Sequence, residues 1–181
     1  MTKIATVPVA AALVALFGTF ASAQSTGSDS AELGEPDTTF LAEAIVGSLG
    51  EIHVSEAALP KLSEEPVQDL AERMIEDHST LVDRLMVLAE EHKISEEGTK
   101  GTPPLEVSED AALKSKELAG LSGEEADASY LAFIVEKHRS DVELYKDQAE
   151  NGTDEELKRL ASETLPSLEE HLRMAESLHT K

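Results

Sequence analysis

The sequence predicts an all-α fold, an antiparallel four-helix bundle with a long connection between the second and third helices. Three observations lead there. Four long segments repeat apolar residues at the 3.6-residue period of a helix, and no segment shows the alternating pattern of a half-buried strand. A Gly- and Pro-containing stretch of about thirty residues then divides the four segments into two pairs.

The first helix is expected to start near Asp37 or Thr38, either of which can cap it. It carries Phe40, Leu41, Ala44, Ile45, Leu49, Ile52 and Leu59 before Pro60 interrupts. The second enters through Ser63-Glu64-Glu65-Pro66, with serine at a cap position and proline in the first turn, and repeats Val67, Leu70, Ala71, Met74, His78, Leu81, Leu85 and Leu88. Gly98 to Pro104 breaks that pattern, and the stretch around Ala111 to Leu118 has room for a short extra helix before Gly120 and Gly123. A connection this long can cross the whole bundle, as in ferritin-like folds.

The third helix starts near Ser122 or Glu124, repeats Asp127, Leu131, Ile134, Val135, His138, Val142 and Tyr145, and ends at Asn151-Gly152. The fourth opens at Thr153 with Glu156 at capping-box spacing, and repeats Leu157, Leu160, Ala161, Thr164, Leu168, His171, Leu172 and Ala175. Pro166 inside it is expected to bend the helix one turn before His171.

Lys3, the apolar run Val7 to Phe20 and the small residues Ala21-Ser22-Ala23 resemble a bacterial secretory signal over residues 1–23, with cleavage after Ala23. An uncleaved anchor is the alternative, and the expected location is the periplasm or beyond. Residues 24–36, rich in Ser and Gly, are expected to form a flexible leader to a bundle domain over 37–181. With no cysteine, disulfides, thiolate metal sites and cysteine nucleophiles are excluded. A net charge of −22 argues against nucleic acid and anionic lipid as partners, and no stable membrane span is expected after signal cleavage.

Three histidines occupy positions where a core helix would carry leucine. On a helical wheel His78 lies within about 20° of Val67 and Leu85, and His138 within about 20° of Leu131. His171 falls between Leu157 and Leu160, and Glu51 sits nearer the edge of the first helix's apolar face. Burying an imidazole is costly unless both nitrogens are partnered, so three of them imply either a shared hydrogen-bond network or a metal. Three neutral imidazoles and a carboxylate suit zinc, copper or a single non-haem iron. The expected ligands are Glu51, His78, His138 and His171, with Asp141, one turn beyond His138, as a further oxygen ligand or supporting partner.

A ferritin di-iron centre needs Glu-x-x-His on two helices, whereas Ile75 and Leu168 stand at those glutamate positions. The alternative is a metal-free set of buried hydrogen bonds, with Glu51, Asp141, Tyr145 and Thr164 as partners. The acid pairs Glu76-Asp77 and Glu169-Glu170 read as a solvated helix face. His53, His92 and His179 need no role.

Met74-Ile75-Glu76-Asp77-His78 resembles Ser167-Leu168-Glu169-Glu170-His171, a weak internal symmetry. Over Phe40 to Leu178 the chain also resembles the bacterial domain-of-unknown-function family numbered 4142. The resemblance is carried by Glu51, Ala71-x-x-Met74-x-x-Asp77-His78, Tyr130-Leu131 with His138, and Leu165-Pro166-x-Leu168-x-x-His171-Leu172-x-x-Ala175. His53 departs from the pattern where an acidic or polar residue is expected, and Leu70 where an aromatic is common. The resemblance implies a ferritin-like four-helix fold and an exported or outer-membrane setting, but no activity.

No serine or threonine has a nucleophile's setting and no Gly-rich phosphate loop occurs. The expectation is an exported acidic bundle that acts by binding, without catalysis, with the His/Glu cluster as a candidate site for one buried metal ion. A metal-free envelope interaction or stress-tolerance module is the alternative. A metal-dependent redox enzyme is a second.

Overall fold

The computed structural model describes residues 33–180, apart from 96 and 99–101. The expected signal peptide and most of the leader lie outside the described residues. Among the described residues five helices follow in order: α1 (Glu35–Ala58), α2 (Glu65–Glu91), α3 (Glu109–Ala119), α4 (Glu124–Asn151) and α5 (Glu155–His179). A single 3-10 turn over Leu59–Lys61 follows α1, and no strand occurs among the described residues. The fold is all-α, with α3 as a fifth helix inside the long connection. None of the helices is long and apolar enough to cross a membrane.

The ends of the helices differ from expectation because tertiary partners outbid local capping. α1 begins at Glu35, so the last two residues assigned to the leader are helical, and Gly34 stands at its N-cap without a side-chain bond. Asp37 is buried one turn in, where it clips α1 to the junction of α4 and α5. Its carboxylate accepts from Gln148 Nε2 at 2.8 Å, Thr153 N at 3.1 Å and Asp154 N at 3.0 Å, and also from the Thr153 hydroxyl. Thr153 is thereby taken from its expected capping role. Asp154 caps α5 instead, accepting from Glu156 N and Leu157 N.

Ser63 is likewise drawn away from α2, whose N-cap is Glu64. Its backbone N–H and hydroxyl donate to Asp127 at 2.9 and 2.5 Å. Gly123, at φ 64°, adds a bond from its N–H to the Lys61 carbonyl at 3.0 Å. Positive φ is open to glycine at little cost, and it lets the chain turn into α4 against the α1–α2 junction. α3 has a side-chain cap that the sequence reading did not single out, Ser108 accepting from Ala111 N at 3.3 Å. α5 continues through Pro166 as one helix.

The apolar stripes meet in two clusters. One gathers Val54, Val67, Leu70, Met74, Leu118, Tyr130, Leu131 and Ile134, and the other Phe40, Leu41, Ile45, Leu81, Leu85, Tyr145, Leu157 and Leu168. On each long helix one buried ionisable residue falls between the residues given to the two clusters: Glu51 on α1, His78 on α2, His138 on α4 and His171 on α5. The core is two apolar halves separated by a polar layer.

Candidate metal centre

The polar layer brings together the residues the sequence singled out. His78, His138 and His171 are 2, 0 and 2 % exposed. Their ring centroids stand 5.4, 5.8 and 5.3 Å apart, in the pairs His78–His138, His78–His171 and His138–His171. Glu51, expected near the edge of its helix face, is instead 1 % exposed and lies between two of the rings. Its Oε1 is 2.9 Å from His138 Nδ1 and its Oε2 3.2 Å from His78 Nδ1. These are ion-pair distances without hydrogen-bond alignment: both Glu51 oxygens and both His78 nitrogens lack a hydrogen-bond partner.

His138 and His171 are tied more tightly. His138 Nδ1 faces the Ile134 carbonyl at 3.2 Å as well as Glu51 Oε1, so that nitrogen carries the proton. His171 Nε2 donates to Asp77 Oδ2 at 2.9 Å. In the neutral rings the remaining nitrogens, His138 Nε2 and His171 Nδ1, are therefore both acceptors, yet they stand 3.2 Å apart. Two lone pairs aimed at each other at this distance need a positive species between them, either a shared proton or a cation. At a Zn–N bond of about 2.05 Å, two nitrogens on a tetrahedral ion are separated by about 3.3 Å.

The electrostatics of the layer follow from burial and from one carboxylate among three rings. Burial pushes the Glu51 carboxyl upward, but the charges of His78 and His138 outweigh it and bring it down to about 2. Burial holds His78 below the usual imidazole range. His171 is held down to about 4 by burial and by the other two rings, against the opposing bond to Asp77. His138 alone is raised, because the Glu51 carboxylate outweighs the effect of burial. Asp141 is raised well above the carboxylate range by burial and by the Glu51 charge, so it favours its neutral form beside an anionic Glu51.

Two sets of atoms here are close enough to share an ion. One ligand atom from each of His78, His138 and His171 lies within 4.8 Å of the others, and the same holds for Glu51, His138 and Asp141. The orphaned nitrogens of His78, the converging lone pairs and the anionic Glu51 fit a borderline-soft divalent ion. Asp77 lies on the solvated face that the sequence indicates, 46 % exposed, and from there it also orients His171. Its place beside His78 within a family signature was the one signal for it. Of the expected metal-free satisfiers, Thr164 bonds the Leu160 carbonyl at 2.8 Å rather than a histidine. His53 and His179 are exposed.

The profile of a family described as a domain of unknown function, DUF4142, matches residues 22–178. The chain belongs to the DUF4142 family. Its fold is shared by solved structures that include two DUF305 proteins. A DUF305 protein from Streptomyces coelicolor, provisionally described as secreted, superposes with a TM-score of 0.67 at 21% identity, over 79% of this chain and 91% of that one. A DUF305 fragment from Deinococcus radiodurans gives a TM-score of 0.67 at 15% identity, over 82% and 97% of the two chains. No curated protein matches the DUF4142 chain significantly.

Proposed function

We propose that this DUF4142 protein is an exported helical bundle that binds one divalent transition-metal ion in its interior, without catalysing a reaction. His78, His138 and His171 supply nitrogen ligands, Glu51 a carboxylate oxygen, and Asp141 a further oxygen or a supporting hydrogen bond. The observation that carries the reading is the 3.2 Å approach of His138 Nε2 and His171 Nδ1, whose other nitrogens are committed to Glu51, Ile134 and Asp77. Zinc, copper and iron all accept this donor set.

The four long helices form an antiparallel, ferritin-like bundle. In support, the Asp37 clip joins the start of α1 to the end of α4 and the start of α5, while Ser63 and Gly123 join the start of α2 to that of α4. A signal peptide over residues 1–23 directs the chain to the periplasm. The Ala21-Ser22-Ala23 pattern and the secreted description of the Streptomyces relative support export.

A second reading has one observation in its favour. His138 is raised above the usual imidazole range, so a proton can occupy the gap and the layer can serve as metal-free packing for a module that works through its surface. Elemental analysis of untagged protein, with melting before and after chelator, separates the two. Stoichiometric metal and a melting temperature lowered by chelator are expected. Metal-free protein whose melting is indifferent both to chelator and to added Zn²⁺, Cu²⁺ or Fe²⁺ would refute the metal reading.

A further inference from the structure

The polar layer is sealed on most sides by close helix packing, but α2 and α5 are the most loosely apposed of the neighbouring long helices. A cavity of about 230 Å³ opens between them, and its walls include Glu76, Asp77, His78, Arg84, Glu163 and His171. Space on that scale admits a cation with water around it. The cavity reaches two buried rings, His171 and His78, and His78 has both nitrogens free of hydrogen bonds. Three carboxylates face one guanidinium there, and Arg84 is itself engaged with Glu163 across the mouth at 2.8 Å. Such an opening concentrates cations and repels anions.

A second cavity, of about 320 Å³, touches the opposite side of the layer at Asp141. It too sets three carboxylates, Glu43, Asp110 and Asp141, against one cationic group, Lys137, but no histidine lines it, so a cation entering there meets no ring nitrogen, which makes it the poorer path.

We propose that the cleft between α2 and α5 is the access route of the metal ion, a hydrated divalent cation passing Glu76, Asp77 and Glu163 to reach the ring nitrogens of His78 and His171. The inference rests on the metal-binding reading above. Asp77 then has two duties, receiving the incoming cation and holding His171 with its Nδ1 turned inward.

The test is the rate at which the full chain, stripped of metal by chelator and desalted, takes up Co²⁺, followed by the visible absorption of the bound ion. Ser167 lines the cleft and Ser140 the second cavity, both exposed and outside the ligand set. Ser167→Trp should slow uptake on the order of tenfold or more, with unchanged final stoichiometry. Ser140→Trp should leave the rate unchanged. Glu76→Gln, which places no bulk in the cleft, should lower the rate and flatten its dependence on salt, and it decides the matter alone should circular dichroism show Ser167→Trp unfolded. Wild-type uptake by folded Ser167→Trp, slowed uptake by Ser140→Trp, or an unchanged rate and salt dependence in Glu76→Gln would overturn the route while leaving the metal site standing. Failure of the wild-type chain to bind Co²⁺, Zn²⁺ or Cu²⁺ at all would remove both.

Discussion

Replacing His138 by alanine tests the polar layer most directly, because this ring touches every other part of it. The change removes the partner 2.9 Å from Glu51 Oε1 and the nitrogen 3.2 Å from His171 Nδ1. It leaves a carboxylate that is 1 % exposed with His78 and Asp141 as its polar neighbours. Removing one member of a buried ion pair costs about 3–5 kcal/mol, and the void left by the ring acts in the same direction. We expect a loss of about 4 kcal/mol, partly offset by whatever water enters the space. At about 2–4 °C per kcal/mol for a domain of this size, melting should fall by roughly 8–16 °C. The assay is thermal and urea unfolding in chelator, so that the polar layer is measured without any metal. His53→Ala on the exposed face of α1 is the control, and should change stability by less than about 0.5 kcal/mol. Equal losses in the two variants would refute the argument, since they would mean that His138 is not held in a dry, mutually dependent cluster.

Three further outcomes are expected. Asp37→Ala should cost about 2–4 kcal/mol by urea unfolding, because it strands the Thr153 and Asp154 N–H groups and the Gln148 amide that the carboxylate gathers. The Asp37 carboxyl is held below its ordinary value by those bonds against burial, so its contribution is present above pH 3.8 and lost as pH falls through the folded value. The His171 shift sets a second window in the metal-free chain: with a folded value of about 4 against 6.5 unfolded, the neutral ring's contribution is complete above pH 6.5 and lost as pH falls toward 4. Urea midpoints followed from pH 7.5 to 4 should fall in the wild type and fall less in His171→Gln. Finally, a Cβ at Gly50 would stand 3.1 Å from the Ala111 Cβ on α3, so Gly50→Val should overpack that contact, cost about 1–3 kcal/mol and speed hydrogen exchange in α3.

What was legible in the sequence is what depends on period. The phase of His78, His138 and His171 along their own helices was enough to bury all three, because a stripe that includes leucines on both sides of a residue fixes which way it points. The short α3 could be read as an extra helix for the same reason. Choices among equivalent neighbours were not legible. Asp37, Thr38, Thr153 and Asp154 are all competent caps, and the one used is decided by a carboxylate that reaches across the fold from residue 37 to residue 153. The contact that Asp77 makes from its solvated face was hidden for a related reason. Its side chain leaves α2 about 100° from His78, which in isolation is the direction of water. It meets His171 only because α5 passes there. Glu51 was put at a helix edge because a wheel treats one helix at a time, whereas the rings of α2 and α4 are what enclose it.

The division of the core raises the question of what the polar layer is for. Apolar residues of similar volume at Glu51, His78, His138 and His171 would join the two clusters into one, and replacing buried ion pairs in this way is commonly neutral or stabilising. Packing alone therefore supplies no reason for four ionisable groups at one level of the core. Register is a weak reason, because the Asp37 and Asp127 clips already tie the chain junctions at residues far apart in sequence. What the layer offers and an apolar core lacks is an anionic carboxylate, an imidazole with neither nitrogen bonded, and two lone pairs facing each other. In a metal-free interior a proton on His138 meets the carboxylate and the facing lone pairs but leaves both His78 nitrogens unbonded, whereas a single cation relieves all three.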